Sequence, residues 1–433
     1  MKSVAFQTLG CKVNQTETAA LKNLFERAGY VTVPFSGLAD VYIINTCTVT
    51  HLSDRKSRQL IRRARRINPD AVVVVTGCYA QVSPDDVLAI PGVDLVIGTH
   101  SREKLPQLVL EAKRGRLNCV LPLDKKNCFE PLPSAQTGKR TRAFLKVQEG
   151  CRQFCSYCIV PYARGALYSR SLEAVEEEIH RLAGAGFREV VLTGVHLGSY
   201  GIDLPGKPAL SDLIARAAVV DGIERVRISS VEPTEVTHDL IDVMLANPKI
   251  CRHLHIPMQS GHDEILHRMN RKYSSSEYYY LVRWLQTEVD GIALTTDVMV
   301  GFPGETEENF LQTLSLVERC NFSRLHVFKY SARHGTPAAG FPDQVPAPVK
   351  DERSRRLIQL GEELSARYRL QFIGETAGVL FEKRAGGGTL AGLTEHYVLV
   401  EAKAPAALLG TIARVAIGGE RDGSLYGEIT DSR

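Results

Sequence analysis

Short, β-branched apolar runs punctuate the first quarter of the chain: Val4-Ala5-Phe6, Val41-Tyr42-Ile43-Ile44 and Val72-Val73-Val74-Val75. They are continuous rather than alternating, which is how a parallel strand covered on both faces reads. Helical stretches follow them, as in Glu17–Ala28 and Ser53–Ile67. Over residues 1–117 this predicts a doubly wound α/β domain. A polar segment with Pro122, Pro131 and Pro133, residues 118–140, reads as a linker. The alternation then restarts at a longer period over 141–366. Its candidate strands are Ala143–Val147, Glu189–Leu192, Arg225–Ser229, His253–Pro257, Leu294–Val300 and Arg324–Tyr330, with helices such as Leu172–Ala185 and Thr306–Glu318 between them. Six strand–helix units predict an open, incomplete (β/α)6 barrel, whose functional groups belong at the C-terminal ends of the strands. Pro337, Pro342, Pro346 and Pro348 mark a further boundary, and a charged helix over 349–372 leads into the tail. Residues 367–433 carry short strands (Thr376–Glu382, His396–Ala402, Ile412–Ile417, Leu425–Ile429) separated by Gly-rich turns, which suits a small barrel of oligonucleotide-binding type.

At 433 residues the length allows about three domains. Hydrophobic residues at 44% and charged residues at 24% are ordinary for a soluble globular protein. The start, Met1-Lys2-Ser3-Val4-Ala5-Phe6, lacks an apolar signal core, and no apolar run approaches the roughly 20 residues that span a bilayer. A cytoplasmic protein without membrane contact is expected. Ten cysteines in that compartment point to metal ligands or free thiols rather than disulfides. The net charge of +4 is too small to argue for nucleic acid, so the placement of the charge decides.

The chemistry concentrates in Cys151-x3-Cys155-x2-Cys158, with Tyr157 before the last cysteine, on the loop after the first barrel strand. A cubane cluster takes one ligand per iron. Three thiolates leave one iron open, as catalytic metal sites keep one position open. A partial zinc site is the alternative, but it would show paired C-x2-C knuckles and a fourth nearby ligand, which this loop lacks. The pattern resembles that of the radical S-adenosylmethionine (radical SAM) enzymes. The resemblance implies a 4Fe–4S cluster whose open iron chelates the amino and carboxylate groups of SAM.

Cys11, Cys47 and Cys78 are far apart in sequence but share one context, just past the end of a strand: Leu9-Gly10-Cys11, Asn45-Thr46-Cys47 and Thr76-Gly77-Cys78. Loops at the carboxyl ends of parallel strands converge on one crevice. Gly10 and Gly77 would let the backbone turn tightly beside a bulky inorganic group. Taken singly each cysteine reads as a small buried hydrophobe; the threefold repeat of context favours a shared cluster.

Together these features resemble the methylthiotransferases over nearly the whole chain. The resemblance rests on Gly10-Cys11-Lys12-Val13-Asn14-Gln15, Asn45-Thr46-Cys47, Thr76-Gly77-Cys78 and the Cys151 loop. Further matches are His255-Ile256-Pro257-Met258-Gln259-Ser260-Gly261, Arg268-Met269-Asn270-Arg271 and Asp297-Val298-Met299-Val300-Gly301-Phe302-Pro303-Gly304-Glu305. It implies a second 4Fe–4S cluster on Cys11, Cys47 and Cys78 tied to sulfur delivery, and a TRAM domain in the tail that binds RNA or substrate. It also implies an external electron donor of flavodoxin or ferredoxin type and leaves the sulfur donor open. Lys-Val-Asn-Gln after Cys11 is most similar to the subgroup that acts on threonylcarbamoyl-adenosine in the tRNA anticodon loop. The branches acting on isopentenyl-adenosine or on a ribosomal-protein aspartate are the nearer alternatives. A non-catalytic iron–sulfur RNA-binding module is the alternative of another class.

Polar residues at successive strand ends predict a SAM site: Thr193 and Gly194, then Ser229, Ser230 and Glu232, then Gln259, then Asp297 and Gly301, with Tyr157 on the cluster loop. The run 55–66 holds seven basic residues and no acid. At about 100° per residue Arg55, Arg58, Arg62, Arg65 and Arg66 share one face, opposite Leu60, Ala64 and Ile67. Like charges that repel along a helix favour phosphate contact over a merely solvated face. Lys139, Arg140 and Arg142 add basic charge near the first barrel strand. Cys119, Cys128, Cys251 and Cys320 fit no repeated context, and His51, His196, His255 and His326 read as hydrogen-bonded core or turn residues.

Overall fold

The fold is that of a computed structural model, which describes residues 2–48, 51–123, 129, 130, 132 and 141–431. Lys139, Arg140 and Cys128, with most of the expected linker, lie outside the described residues.

The N-terminal sheet holds six parallel strands: β1 (Ser3–Thr8), β2 (Val31–Val33), β3 (Val41–Thr46), β4 (Val72–Gly77), β5 (Leu95–Val96) and β6 (Leu117–Asn118). Their order is β2-β1-β3-β4-β5-β6. The continuous apolar runs have the meaning expected of them, because alternate residues serve two cores. Tyr42, Ile44, Val73 and Val75 pack with Ile61 and Ala64 of helix α2 (His51–Ile67), while Val41, Ile43, Val72 and Val74 pack with Leu21 and Phe25 of helix α1 (Lys12–Arg27). β1, β3 and β4 are neighbours in the sheet, so the loops that leave them open side by side.

The second unit has strands β7 (Arg142–Lys146), β8 (Gln148–Glu149), β9 (Tyr168–Ser169), β10 (Glu189–Thr193), β11 (Arg225–Ile228), β12 (His253–His255), β13 (Ala293–Val300) and β14 (Arg324–Lys329). β7-β10-β11 and β12-β13-β14 are parallel sheets of three, joined by bridges Val226–Ile250 and Ser230–His255. Six parallel strands thus curve through one core that includes Leu145, Val190, Val226, Leu254, Leu294 and Val298. Among the described residues no ladder joins β7 to β14, which leaves the barrel open on one side.

The tail is a closed barrel of β15 (Thr376–Gly386), β16 (Thr389–Thr394), β17 (Leu399–Lys403), β18 (Ile412–Arg421) and β19 (Ser424–Asp431), in the order β15-β16-β17-β19-β18. It is clamped to the N-terminal ends of the large barrel's strands. Arg225 donates to the carbonyls of Leu393 (3.0 Å) and Gly378 (2.7 Å), Arg227 to those of Glu395 (2.8 Å) and Thr394 (3.2 Å), and Arg142 to Glu382 (2.6 Å). The Ala347–Leu370 helix spans the same joint, with Tyr368 Oη donating to the Gly291 carbonyl at 2.8 Å. Among the described residues no helix is long and apolar enough to cross a membrane.

Candidate active site: two cysteine triads at one junction

Cys11, Cys47 and Cys78 follow β1, β3 and β4 directly, at the carboxyl edge of three adjacent strands. Tight turns bring them together. Gly10 has φ +103°, and a Cβ there would lie 2.7 Å from Cys47 Cβ. Gly77 has φ +94°, and a Cβ would lie 2.4 Å from both the Asn45 Oδ1 and the Thr46 carbonyl. Asn14, fully buried, ties the loops: its Nδ2 donates to the Leu9 carbonyl at 2.8 Å and the Thr46 carbonyl at 3.0 Å. Cys47 and Cys78 are buried and Cys11 is exposed. Burial pushes the Cys78 thiol up to about 11, with Arg164 acting against it and the charges of Cys47 and Cys11 adding to it.

The second triad lies on the loop between β8 and the Val160–Arg164 helix. Cys155 is buried and receives Arg271 NH1 at 3.5 Å. Burial, reinforced by the negative fields of Cys155 and Cys151, pushes the Cys158 thiol up to about 12. His196 stands beside Cys151, 2.8 Å from Glu235. Burial works against its protonation, but hydrogen bonds to Cys151 and Glu235 prevail and raise it to about 10.

One side chain from the helix that follows the second triad reaches the first. Arg164, six residues past Cys158 and fully buried, donates from Nε to Cys78 Sγ at 3.3 Å and from NH2 to Asn14 Oδ1 at 2.6 Å. Its NH1 pairs with Glu149 at 2.8 Å and with Glu17. Glu17 also takes Arg102 at 2.9 Å and Lys146 at 3.0 Å, Glu149 takes Lys146 at 3.0 Å, and Arg102 pairs with Glu130. Three carboxylates and three cations so balance in the seam between sheet and barrel. Burial opposes the Glu17 charge, yet Arg102, Arg164 and Lys146 outweigh it and hold its carboxyl well below the usual range.

The donor set fits iron–sulfur clusters. Each triad offers three thiols, the donor type that iron–sulfur clusters take. A cubane spreads its ligands over separate irons. Buried thiols raised by desolvation become thiolates when metal takes the place of the proton.

The expected SAM residues fall at strand ends around the Cys151 loop, several with their polar groups engaged. Thr193 Oγ1 donates to the Leu145 carbonyl at 3.2 Å, and Gly194 gives way to Gln148, whose Oε1 would lie 2.9 Å from a Cβ. Glu232 is paired with Arg271, and Asp297 lies 3.2 Å from His255 Nε2. The Gly301 amide donates to Glu305 at 2.9 Å. Gln259 (φ +64°) bridges β13 through its backbone, and Ser230 bridges to His255. Tyr157 packs edge-on to Phe302. The Ser229 hydroxyl is buried with no hydrogen-bond partner, and a ribose hydroxyl or carboxylate would satisfy it.

On α2, Arg55, Arg58, Arg62 and Arg66 are exposed or half-buried at the surface, as is Arg63. Arg65 corrects the expected face. Its guanidinium is committed to Asp94 at 2.6 Å and the carbonyls of Gly92 (2.9 Å) and Ala71 (3.0 Å), because the residue sits where the helix end meets the sheet. It anchors the helix and is not free for phosphate. The residues that sequence reasoning missed are the cationic partners Arg164 and Arg271; His196, expected as a hydrogen-bonded core or turn residue, is buried and bonded to Cys151 and Glu235. Only Arg271 had a signal, as the last residue of the Arg268-Met269-Asn270-Arg271 motif.

Residues 3–98 match "Uncharacterized protein family UPF0004", and residues 145–317 match the "Radical SAM superfamily". The chain is 46% identical to the "Threonylcarbamoyladenosine tRNA methylthiotransferase MtaB" of Bacillus subtilis, over 96% of this chain and 94% of that one. This chain belongs to the radical SAM methylthiotransferases. The enzyme of that name from Thermotoga maritima is 39% identical to this methylthiotransferase, over 92% and 91% of the two chains. The "tRNA-2-methylthio-N(6)-dimethylallyladenosine synthase" of Pelotomaculum thermopropionicum is 37% identical, over 99% and 97%. Among solved structures, the radical SAM methyltransferase TsrM of Kitasatospora setae, with cobalamin and a 4Fe–4S cluster bound, superimposes with a TM-score of 0.58. It covers 78% of this methylthiotransferase and 77% of its own chain at 18% identity, a likeness of fold.

Proposed function

We propose that this enzyme methylthiolates C2 of N6-threonylcarbamoyladenosine beside the anticodon of tRNA, giving the 2-methylthio derivative. One observation carries the reading: the Cys151–Cys158 loop runs into the short helix whose Arg164 touches Cys78, so the two triads share one junction. Cys151, Cys155 and Cys158 would hold one 4Fe–4S cluster, the one that serves SAM, and Cys11, Cys47 and Cys78 would hold the other. Residues 1–117 form the domain of the auxiliary cluster, 118–140 the linker, 141–366 the radical SAM core and 367–433 the TRAM domain.

The C2–H of an adenine is neither acidic nor attached to a leaving group, so general bases gain little on it. When bound, the clusters and SAM would relay an electron from an external donor and supply the hydrogen-abstracting radical, the sulfur and the methyl group that side chains lack. The protein's own part is position and field. Arg271 beside Cys155 and Arg164 beside Cys78 place cations against the sulfurs, which favours their anionic form. Ser229, Ser230, Glu232, Gln259 and Asp297, with the Thr193-Gly194 and Gly301 turns and Tyr157, would line the SAM site from successive strand ends. Glu17, Glu149 and Arg164 fix the sheet against the barrel and keep the junction closed to bulk water.

Arg55, Arg58, Arg62 and Arg66 grip phosphates of the anticodon stem and loop, from which a base can be turned out into the pocket. The reducing electron comes from a flavodoxin or ferredoxin, and the enzyme works in the cytoplasm. Mass spectrometry of tRNA nucleosides from a deletion strain tests the reading. The methylthio nucleoside should vanish while threonylcarbamoyladenosine accumulates. Its persistence, where no other enzyme makes it, overturns the assignment.

A further inference from the structure

The N-terminal unit turns a cation toward the large barrel and the tail without an ion-pair partner of its own. Lys12 opens α1, one residue past Cys11, and its Nζ reaches to 6.0 Å from the Tyr397 ring centroid. Tyr397 rises from the tail, stacks on His253 at 5.0 Å and has Arg227 at 4.8 Å and Arg142 at 5.4 Å over its ring. Those two arginines have carboxylate partners, Arg142 in Glu382 at 2.6 Å and Arg227 in Glu189 at 2.7 Å. Among the described residues Lys12 has no ion pair of its own, and its ammonium faces the tyrosine ring. The carboxylate that acts on it, Asp297, is held by His255.

The wall beside it is polar. His253 and His255 on β12 and Thr295 and Asp297 on β13, each two apart, share a face of their strand. They form a chain: His253 Nε2 to Thr295 Oγ1 at 3.2 Å, Thr295 Oγ1 to His255 Nδ1 at 2.9 Å, His255 Nε2 to Asp297 Oδ1 at 3.2 Å. His253 is 3% exposed, and its Nδ1 has no hydrogen-bond partner. A half-buried cation and a buried, unpaired ring nitrogen beside the same tyrosine ring call for a ligand that is anionic and accepts or donates hydrogen bonds.

We propose that Lys12 is the specificity residue of the substrate pocket, pairing its ammonium with the carboxylate of the threonylcarbamoyl group on the target adenosine. This rests on the function proposed above. C2 and N6 flank N1 on one edge of adenine, so the N6 substituent projects alongside the reacting carbon. One loop then serves both ends of that edge, Cys11 toward the carbon and Lys12 toward the substituent. An isopentenyl group in the same place would leave the ammonium unpaired, and a site built around a buried polar group rejects the analogue that lacks its partner.

Binding of stem-loop RNAs to the cluster-loaded enzyme, read by fluorescence anisotropy, tests this without turnover. The RNAs carry threonylcarbamoyladenosine or its neutral carboxamide analogue. The unaltered enzyme should prefer the carboxylate by about 10²-fold. Lys12→Met should bind both as the unaltered enzyme binds the carboxamide, and Lys12→Arg should keep most of the preference, with iron content and melting temperature unchanged. Preference retained in Lys12→Met overturns the inference. So does an unaltered enzyme that converts threonylcarbamoyl RNA yet binds both RNAs alike, a result that needs no variant to fold. An enzyme that neither prefers nor converts threonylcarbamoyl RNA overturns the function proposed above.

Discussion

Glu17→Gln removes one charge from the seam while keeping the shape of the side chain. Glu17 is 1% exposed and faces Arg102 NH1 at 2.9 Å, Lys146 Nζ at 3.0 Å and Arg164. With Glu130 and Glu149 it balances those three cations one for one. The variant leaves a buried positive charge without its counterpart, and breaking a buried pair in this way costs about 3–5 kcal/mol. Anaerobic urea unfolding of the cluster-loaded protein should show that loss at neutral pH. The acid limb gives an independent check. The folded Glu17 carboxyl lies below its unfolded value, so its stabilisation is complete above about 4.3 and is lost as pH falls through the folded value. The gap between Glu17→Gln and the unaltered chain should therefore close in acid. A loss under about 0.5 kcal/mol, or a gap that does not change between neutral and acid pH, refutes the idea that this network holds sheet to barrel.

Cys151→Ala should abolish formation of 5′-deoxyadenosine from SAM under reduction, whereas Cys11→Ala, Cys47→Ala and Cys78→Ala should keep that cleavage and lose thiolation; equal loss of both in all four counts against two separate clusters. Iron and sulfide counts should fall from about eight of each to about four in the N-terminal variants. Replacing Arg55, Arg58, Arg62 and Arg66 with serine should weaken tRNA binding and flatten its dependence on salt, by up to about one unit of slope for each phosphate no longer neutralised. An unchanged salt slope removes the α2 face from the RNA interface.

The strand framework was legible because buried parallel strands write unbroken β-branched runs; Cys11, Cys47 and Cys78 stood out because each follows such a run, and Cys151, Cys155 and Cys158 because of their spacing on one loop. Strand β16 (Thr389–Thr394) escaped because Gly392 breaks the pattern, and the structure gives the cause: a Cβ there would lie 2.1 Å from the Leu380 carbonyl, so the barrel closes too tightly for a side chain. The two-residue strands β5 and β6 are too short to show a period. Arg65 was misread because helical phase alone cannot see Asp94 on the neighbouring strand connection. The partners of the sulfurs are separated from them by long stretches of chain, as Arg164 is from Cys78, and only the folded junction brings them together.

The arginine clamp under the barrel has a consequence for how an RNA is held. Because Arg142, Arg225 and Arg227 seat the five-stranded tail against the far end of the barrel, a nucleic acid touching both meets a single rigid body. No swinging tether has to be stilled before the base can enter, so less of the binding energy is spent on ordering the protein and more remains to hold the base in register.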